Sequence, residues 1–140
     1  MSRLAGRVCL VTGSTGMAAA AALRFASEGA PVFIVSRNAD HARDLAARIE
    51  ANDGTAGWRA AELTDEIQVQ GAVEACIERF GRIDGLFSVA GGSGRRFGDG
   101  PIHEISGDAW DATLALNLRT QALVCGAVVA RMREIGRAHV

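Results

Sequence analysis

Between Val8 and Met17 a short apolar run, Val8-Cys9-Leu10-Val11-Thr12, breaks into the turn Gly13-Ser14-Thr15-Gly16 and then into the small-residue segment Ala18 to Ala22. A strand, a tight turn and a helix in that order constrain the fold more than any other stretch. In an α/β protein such a turn offers backbone N–H groups and a helix N-terminus to an anion, a dinucleotide pyrophosphate among them. Gly13 lets the chain turn sharply off the strand, and Gly16 lets the backbone approach a phosphate with no Cβ in the way. The alanines give the helix a minimal face for close packing on a sheet. The spacing differs from G-x-G-x-x-G, and a purely structural strand–helix junction fits the turn as well. A Walker A loop is excluded, because the chain contains no lysine.

The pattern then alternates. Strand signals fall at 7–12, 31–36, about 57–63 and 83–90, and helical patterns fill 17–28, 40–52, 65–80 and about 107–133. Strands separated by helices predict βαβ units and a parallel sheet. Gly29 and Gly81 stand where helices should stop, and Asp40 and Thr64 where helices should start. Asp65 and Glu66 put negative charge on a first turn. The one long loop, Gly91 to Glu104, follows the fourth strand, where ligands bind in such sheets. Its Arg95 and Arg96 suit either an anionic group or solvent.

With 140 residues, 49% of them hydrophobic, the chain is at most one domain with enough apolar matter for a core. A net charge of −1 argues against nucleic acid or an anionic membrane surface as the main partner. Cys9, Cys76 and Cys125 are odd in number and far apart, with no metal-ligand spacing, so they read as small buried or half-buried residues in a reducing compartment. The first six residues are too short and polar for a signal peptide, and no unbroken apolar run reaches spanning length. The expectation is a soluble, cytoplasmic protein without a metal.

The second strand ends in Val35-Ser36-Arg37-Asn38. An NAD site of this architecture wants an acid here, to accept from the ribose 2′-OH. A hydroxyl followed by a guanidinium suits a 2′-phosphate instead, since arginine forms paired, charge-assisted bonds to phosphate oxygens. The pattern favours NADP over NAD, with a plain surface arginine as the alternative. A methyltransferase with a nucleoside sulfonium cofactor is weakened by the same missing acid. His41 and His103 match no role and read as solvated.

The chain resembles the N-terminal part of the short-chain dehydrogenase/reductase family, nearly end to end. Thr12-Gly13-Ser14-Thr15-Gly16-Met17-Ala18 resembles the family's TGxxxGxG motif, one residue shorter and with alanine at the last glycine. Glu62-Leu63-Thr64-Asp65 resembles the segment that flanks the adenine, with Glu62 in the place of an aspartate. Phe80-Gly81-Arg82-Ile83-Asp84-Gly85-Leu86 is similar to the run into the fourth strand, and Ser88-Val89-Ala90-Gly91 replaces Asn-Asn-Ala-Gly. Trp110-Asp111 and Leu116-Asn117-Leu118 match the long-helix pattern, in which the asparagine belongs to the catalytic tetrad. The resemblance implies that Asn117 distorts the helix and holds a water in a proton relay. It implies an NADP cradle made by Gly13, Ser14, Thr15, Gly16, Met17, Ser36, Arg37, Asn38, Glu62, Leu63, Ala90 and Gly91, and a carbonyl or alcohol substrate.

The family's serine and Tyr-x-x-x-Lys pair lie beyond the long helix, and this chain contains neither tyrosine nor lysine. A complete enzyme of the kind is roughly 250 residues in one domain. The reading is therefore a Rossmann-type α/β domain over 1–133, truncated after about four strands and the helix that follows the fourth. Residues 134–140, Glu-Ile-Gly-Arg-Ala-His-Val, can be encoded by a string that resembles a sequencing adapter, so they are expected to be a non-native tail. A cofactor half of this kind should be inactive alone. A non-catalytic dinucleotide-binding regulatory module is the alternative. The doubly wound order would leave the fourth strand a bare edge, and the last helix is apolar around most of its girth. Both point to self-association, with the complete protein a homo-oligomer through that helix.

Overall fold

The computed structural model describes residues 2–136. Four strands form one parallel sheet: β1 (Cys9–Thr12), β2 (Val32–Ser36), β3 (Ala56–Ala60) and β4 (Gly85–Ser88), in the order β3-β2-β1-β4. The helices are α1 (Gly16–Ser27), α2 (Ala39–Glu50), α3 (Glu66–Phe80), α4 (Gly107–Leu114) and α5 (Thr120–Glu134). A π-helical turn, Ala115–Arg119, joins α4 to α5, and a 3₁₀ turn, Gly94–Phe97, lies in the loop after β4. This is the expected Rossmann-type arrangement, with β4 at one edge of the sheet.

Period-two alternation along the strands builds two cores. Val8, Leu10, Phe33 and Val35 pack towards α3 and α5, against Val69, Val73, Val124 and Val128. Cys9, Val11, Val32 and Ile34 pack towards α1 and α2, against Ala18, Ala22, Leu45 and Ile49. Each fully buried Leu, Ile or Val contributes about 1.5–3 kcal/mol. At the head of the sheet the buried Asp84 carboxylate accepts from the Val8 N–H at 2.9 Å and from Arg82 Nε at 2.7 Å, which pins β4 to β1.

The edges of the elements differ from the sequence expectation where side chains compete for backbone groups. Two residues before Asp40, Asn38 caps α2, and its side chain accepts from the His41 N–H. Asp65, not Thr64, caps α3, accepting from Ile67 and Gln68. These bonds hold the Asp65 carboxyl below its ordinary range, with the Gln68 N–H the largest cause. Gly81 ends α3 with a left-handed φ of 78°. β3 occupies 56–60 and β4 85–88; past their carboxyl ends 61–63 and 90–91 leave the ladder and line the cleft. Cys9 and Cys76 are buried, but Cys125 is exposed on α5, contrary to expectation, because that face has nothing packed on it.

The helical stretch Gly107–Glu134, 28 residues, contains an 18-residue window with a mean hydropathy of 1.3, enough by length and composition alone to cross a membrane. Asn117, Arg119 and Gln121 interrupt it, so it is not an unbroken apolar run. Val124 and Val128 go into the core, while Trp110, Leu114, Leu118 and Val129 are exposed. Of the expected tail, Glu134 ends α5 and Ile135–Gly136 follow in a turn; 137–140 lie outside the described residues.

Candidate active site

The carboxyl ends of β1, β2, β3 and β4 open on a cleft of about 290 Å³. Its near wall is the turn off β1. The Gly13 N–H donates to the Val35 carbonyl at 2.8 Å, and the Ser14 and Ser36 hydroxyls share a buried 2.8 Å hydrogen bond. Gly13 has φ +99°, and a Cβ there would meet Ala18 Cβ at 2.9 Å, so glycine is required on both counts. At the N-cap of α1, Thr15 is extended and makes no side-chain cap, and no acid stands in the first turn. The N-terminal N–H groups of α1 are left for an anion, at the positive end of the helix dipole.

The next wall is the end of β2. Ser36 Oγ accepts from the Asn38 N–H at 3.3 Å and so ties this corner to the β1 turn. Arg37 is exposed and makes no ion pair among the described residues. Asn38 lines the cleft while its side chain serves the α2 cap. Past β3, Ala61 and Leu63 form an apolar floor. The half-buried Glu62 carboxylate accepts from the Thr64 N–H and hydroxyl at 3.3 and 3.1 Å.

The far wall follows β4. The buried Thr12 hydroxyl accepts from the Val89 and Ala90 N–H groups at 3.0 and 3.2 Å. The Asn117 side chain then takes hold of the loop: Oδ1 accepts from the Gly92 N–H at 3.0 Å and Nδ2 donates to the Gly92 carbonyl at 2.8 Å. Nδ2 also donates to the Thr113 carbonyl, one turn back, at 3.0 Å. A side chain that competes for a helical carbonyl is one physical cause of a π-turn, and Asn117 sits inside the turn Ala115–Arg119. The helix is distorted where the resemblance implied. Arg119 Nε reaches the Thr64 carbonyl at 3.1 Å and joins this wall to the floor.

Most of the residues singled out in the sequence therefore meet in one cleft: Gly13, Ser14, Thr15, Ser36, Arg37, Asn38, Glu62, Leu63, Ala90 and Gly91 line it. Gly16, Met17 and Asn117 do not; Met17 points to solvent at 74% exposure, and Asn117 acts on the loop behind Gly91. His41, Ala61, Leu116 and Thr120 line it as well, and Thr12 and Gln121 support it from behind. Thr12 and Leu116 stand within the motifs quoted above, and Gln121 had a spacing signal, four residues past Asn117 on a helix. A groove of about 420 Å³ between α3 and α5 is lined by Val69, Val73, Leu123 and Ala127 with Glu66, Gln70, Glu74 and Arg131, and none of the residues singled out in the sequence lies in it except Glu66.

A sequence profile of the family described as short chain dehydrogenase matches residues 7–140. The chain is 41% identical over 135 residues to a D-threitol dehydrogenase of Mycolicibacterium smegmatis, covering 96% of this chain and 50% of that protein. It is 35% identical to a levodione reductase of Leifsonia aquatica, covering 99% and 52%. Among solved structures, an NAD+-bound xylitol dehydrogenase superposes with a TM-score of 0.88 at 30% identity, covering 95% of this chain and 50% of that one. A short-chain type dehydrogenase/reductase from Mycobacterium ulcerans gives 0.86 at 30% identity, covering 95% and 49%. The chain thus spans about half the length of the relatives it matches.

Proposed function

Because the chain belongs to the short-chain dehydrogenase family, we propose that it forms the NADP-binding half of an oxidoreductase acting on a small carbonyl or alcohol. What carries the reading is the pairing of an uncapped α1 N-terminus with a β2 end that offers Ser36 and Arg37 and no acid. The pyrophosphate would lie against 13–16 and the α1 N-terminus, and the 2′-phosphate against Ser36 and Arg37. Ala61 and Leu63 would meet the base, and Ala90 and Gly91 the sugar. When bound, the cofactor supplies or accepts the hydride. The chain's own residues bind and orient it.

Asn117 would contribute to a proton relay while holding the Gly92 loop. The chain contains no tyrosine and no lysine, so these residues alone should not turn over substrate. The same observation favours, as a second reading, a non-catalytic dinucleotide-binding module. We place the protein in the cytoplasm, in keeping with its free cysteines. The exposed Trp110, Leu114, Leu118 and Val129 support a homo-oligomer through the long helix.

The test is a titration with NADPH and NADH. Wild type should prefer NADPH, and Arg37→Ala should weaken NADPH by about ten-fold or more while leaving NADH nearly unchanged, as expected for a charged hydrogen bond. Equal losses for both cofactors would remove the 2′-phosphate role, and no binding of either would remove the dinucleotide reading.

A further inference from the structure

The loop after β4 is held on both sides of Gly91 and nowhere at Gly91 itself. Ahead of it, the Ala90 N–H donates to Thr12 Oγ1 at 3.2 Å, and the Ala90 carbonyl accepts from Gln121 Nε2 at 3.0 Å. Behind it, Asn117 satisfies both the N–H and the carbonyl of Gly92. No hydrogen bond among the described residues reaches the N–H or carbonyl of Gly91, which lines the cleft. Backbone groups left unpaired in an otherwise satisfied segment are the ones free to meet a ligand. A Cβ at Gly91 would lie 2.6 Å from Asn117 Oδ1, so the clamp closes only over a glycine.

We infer that Gln121 is a positioning residue which, together with Asn117, clamps the neighbours of Gly91 and holds the Gly91 N–H and carbonyl towards the cleft for hydrogen bonds to the bound dinucleotide. The inference rests on the dinucleotide reading above. Gln121 stands on the first turn of α5, four residues after Asn117, so both amides project from one side of the helix towards one loop. The two have separate tasks: Asn117 fixes the outgoing peptide and Gln121 the incoming one. Without the Gln121 donor the Ala90–Gly91 peptide keeps no hydrogen bond among the described residues. Only the preceding Val89–Ala90 peptide stays tied to Thr12, and the Ala90–Gly91 unit is free to rotate.

The experiment compares the full chain with Gln121→Met and Gln121→Glu, which both lack the Nε2 donor and keep the length of the side chain. In the ligand-free chain, the ¹⁵N–¹H signal of Gly91 should shift and broaden, while the Val89 and Ala90 amides held by Thr12 keep their exchange rates. NADP+ should bind about 3–10-fold more weakly to both variants, the range for one neutral hydrogen bond. Unchanged affinity with an unmoved Gly91 amide overturns the inference. So does a general loosening of amides across the sheet, which would make Gln121 merely structural. A wild-type chain that binds neither NADP+ nor NAD+ overturns the dinucleotide reading and, with it, the cofactor role of the clamp. The ligand-free Gly91 signal still reports separately whether the clamp exists.

Discussion

Replacing Gly91 with alanine tests the far wall of the cleft most directly. Gly91 does not adopt a positive φ, so its backbone accepts an L side chain without strain. The obstacle is one atom: the new Cβ would lie 2.6 Å from Asn117 Oδ1. Asn117 must then leave Gly92 and lose bonds of 3.0 and 2.8 Å. At about 0.5–1.5 kcal/mol each, Gly91→Ala should cost about 1–3 kcal/mol of folding stability. Asn117→Ala should cost at least as much, because it deletes the same two bonds and the one to the Thr113 carbonyl. In that background the clash has gone. Gly91→Ala should then be neutral or stabilising by up to about 1 kcal/mol, through the lower entropy of the unfolded chain. Urea unfolding of the four proteins, followed by the fluorescence of Trp58 and Trp110, gives the double-mutant cycle. The double variant should be no less stable than Asn117→Ala alone. Additive losses would show that Gly91 and Asn117 do not share a constraint, and would refute the clamp.

Other outcomes follow from the same structure. Glu28 is held by Arg3 and Arg24, chiefly by the Arg3 hydrogen bond, which brings its carboxyl down to about 2. A lowered carboxyl stabilises the fold above its unfolded value and loses that contribution as pH falls, so stability should drop from about pH 4.3 down to about pH 2. Urea midpoints across that range should fall less steeply in Glu28→Gln. Asp65→Ala removes the α3 cap and should cost about 0.5–2 kcal/mol in the same assay, with no change in cofactor preference. A thiol reagent near neutral pH should label Cys125 at once and reach Cys9 and Cys76 only on unfolding, since burial pushes the Cys76 thiol up to about 12. Light scattering should find the wild-type chain self-associated, and Leu118→Ser with Val129→Ser should reduce its apparent mass; an unchanged mass would point away from the α5 surface.

Local chemistry makes much of the architecture legible in the sequence. The run 8–12, the turn at Gly13 and the small residues after Gly16 could form little else than a strand, a tight turn and a helix. Gly29 and Gly81 ended α1 and α3 where expected, both with a positive φ. The caps were misplaced by a residue or two because Asn38, Asp65 and their neighbours all have side chains able to accept a backbone N–H, and only geometry selects among them. Ser36 and Arg37 were readable as cleft residues because they sit at a strand end, which the pattern locates well.

Long-range contact decided the rest. Periodicity says that four strands exist, but the order β3-β2-β1-β4 brings their ends to one cleft. Nothing in the local sequence says that Thr12 will hold Val89 and Ala90, 77 and 78 residues away, or that Arg119 will reach Thr64. The bonds from Asn117 to Gly92 and from Gln121 to Ala90 span 25 and 31 residues, and they determine which backbone groups remain open to a ligand. Strand and helix propensities act over a few residues and survive in the sequence as pattern. A hydrogen bond between distant segments exists only once the core has brought them together, so the opening turn was readable from the chain, while the bonds that hold Ala90 and Gly92 in the wall facing it were not.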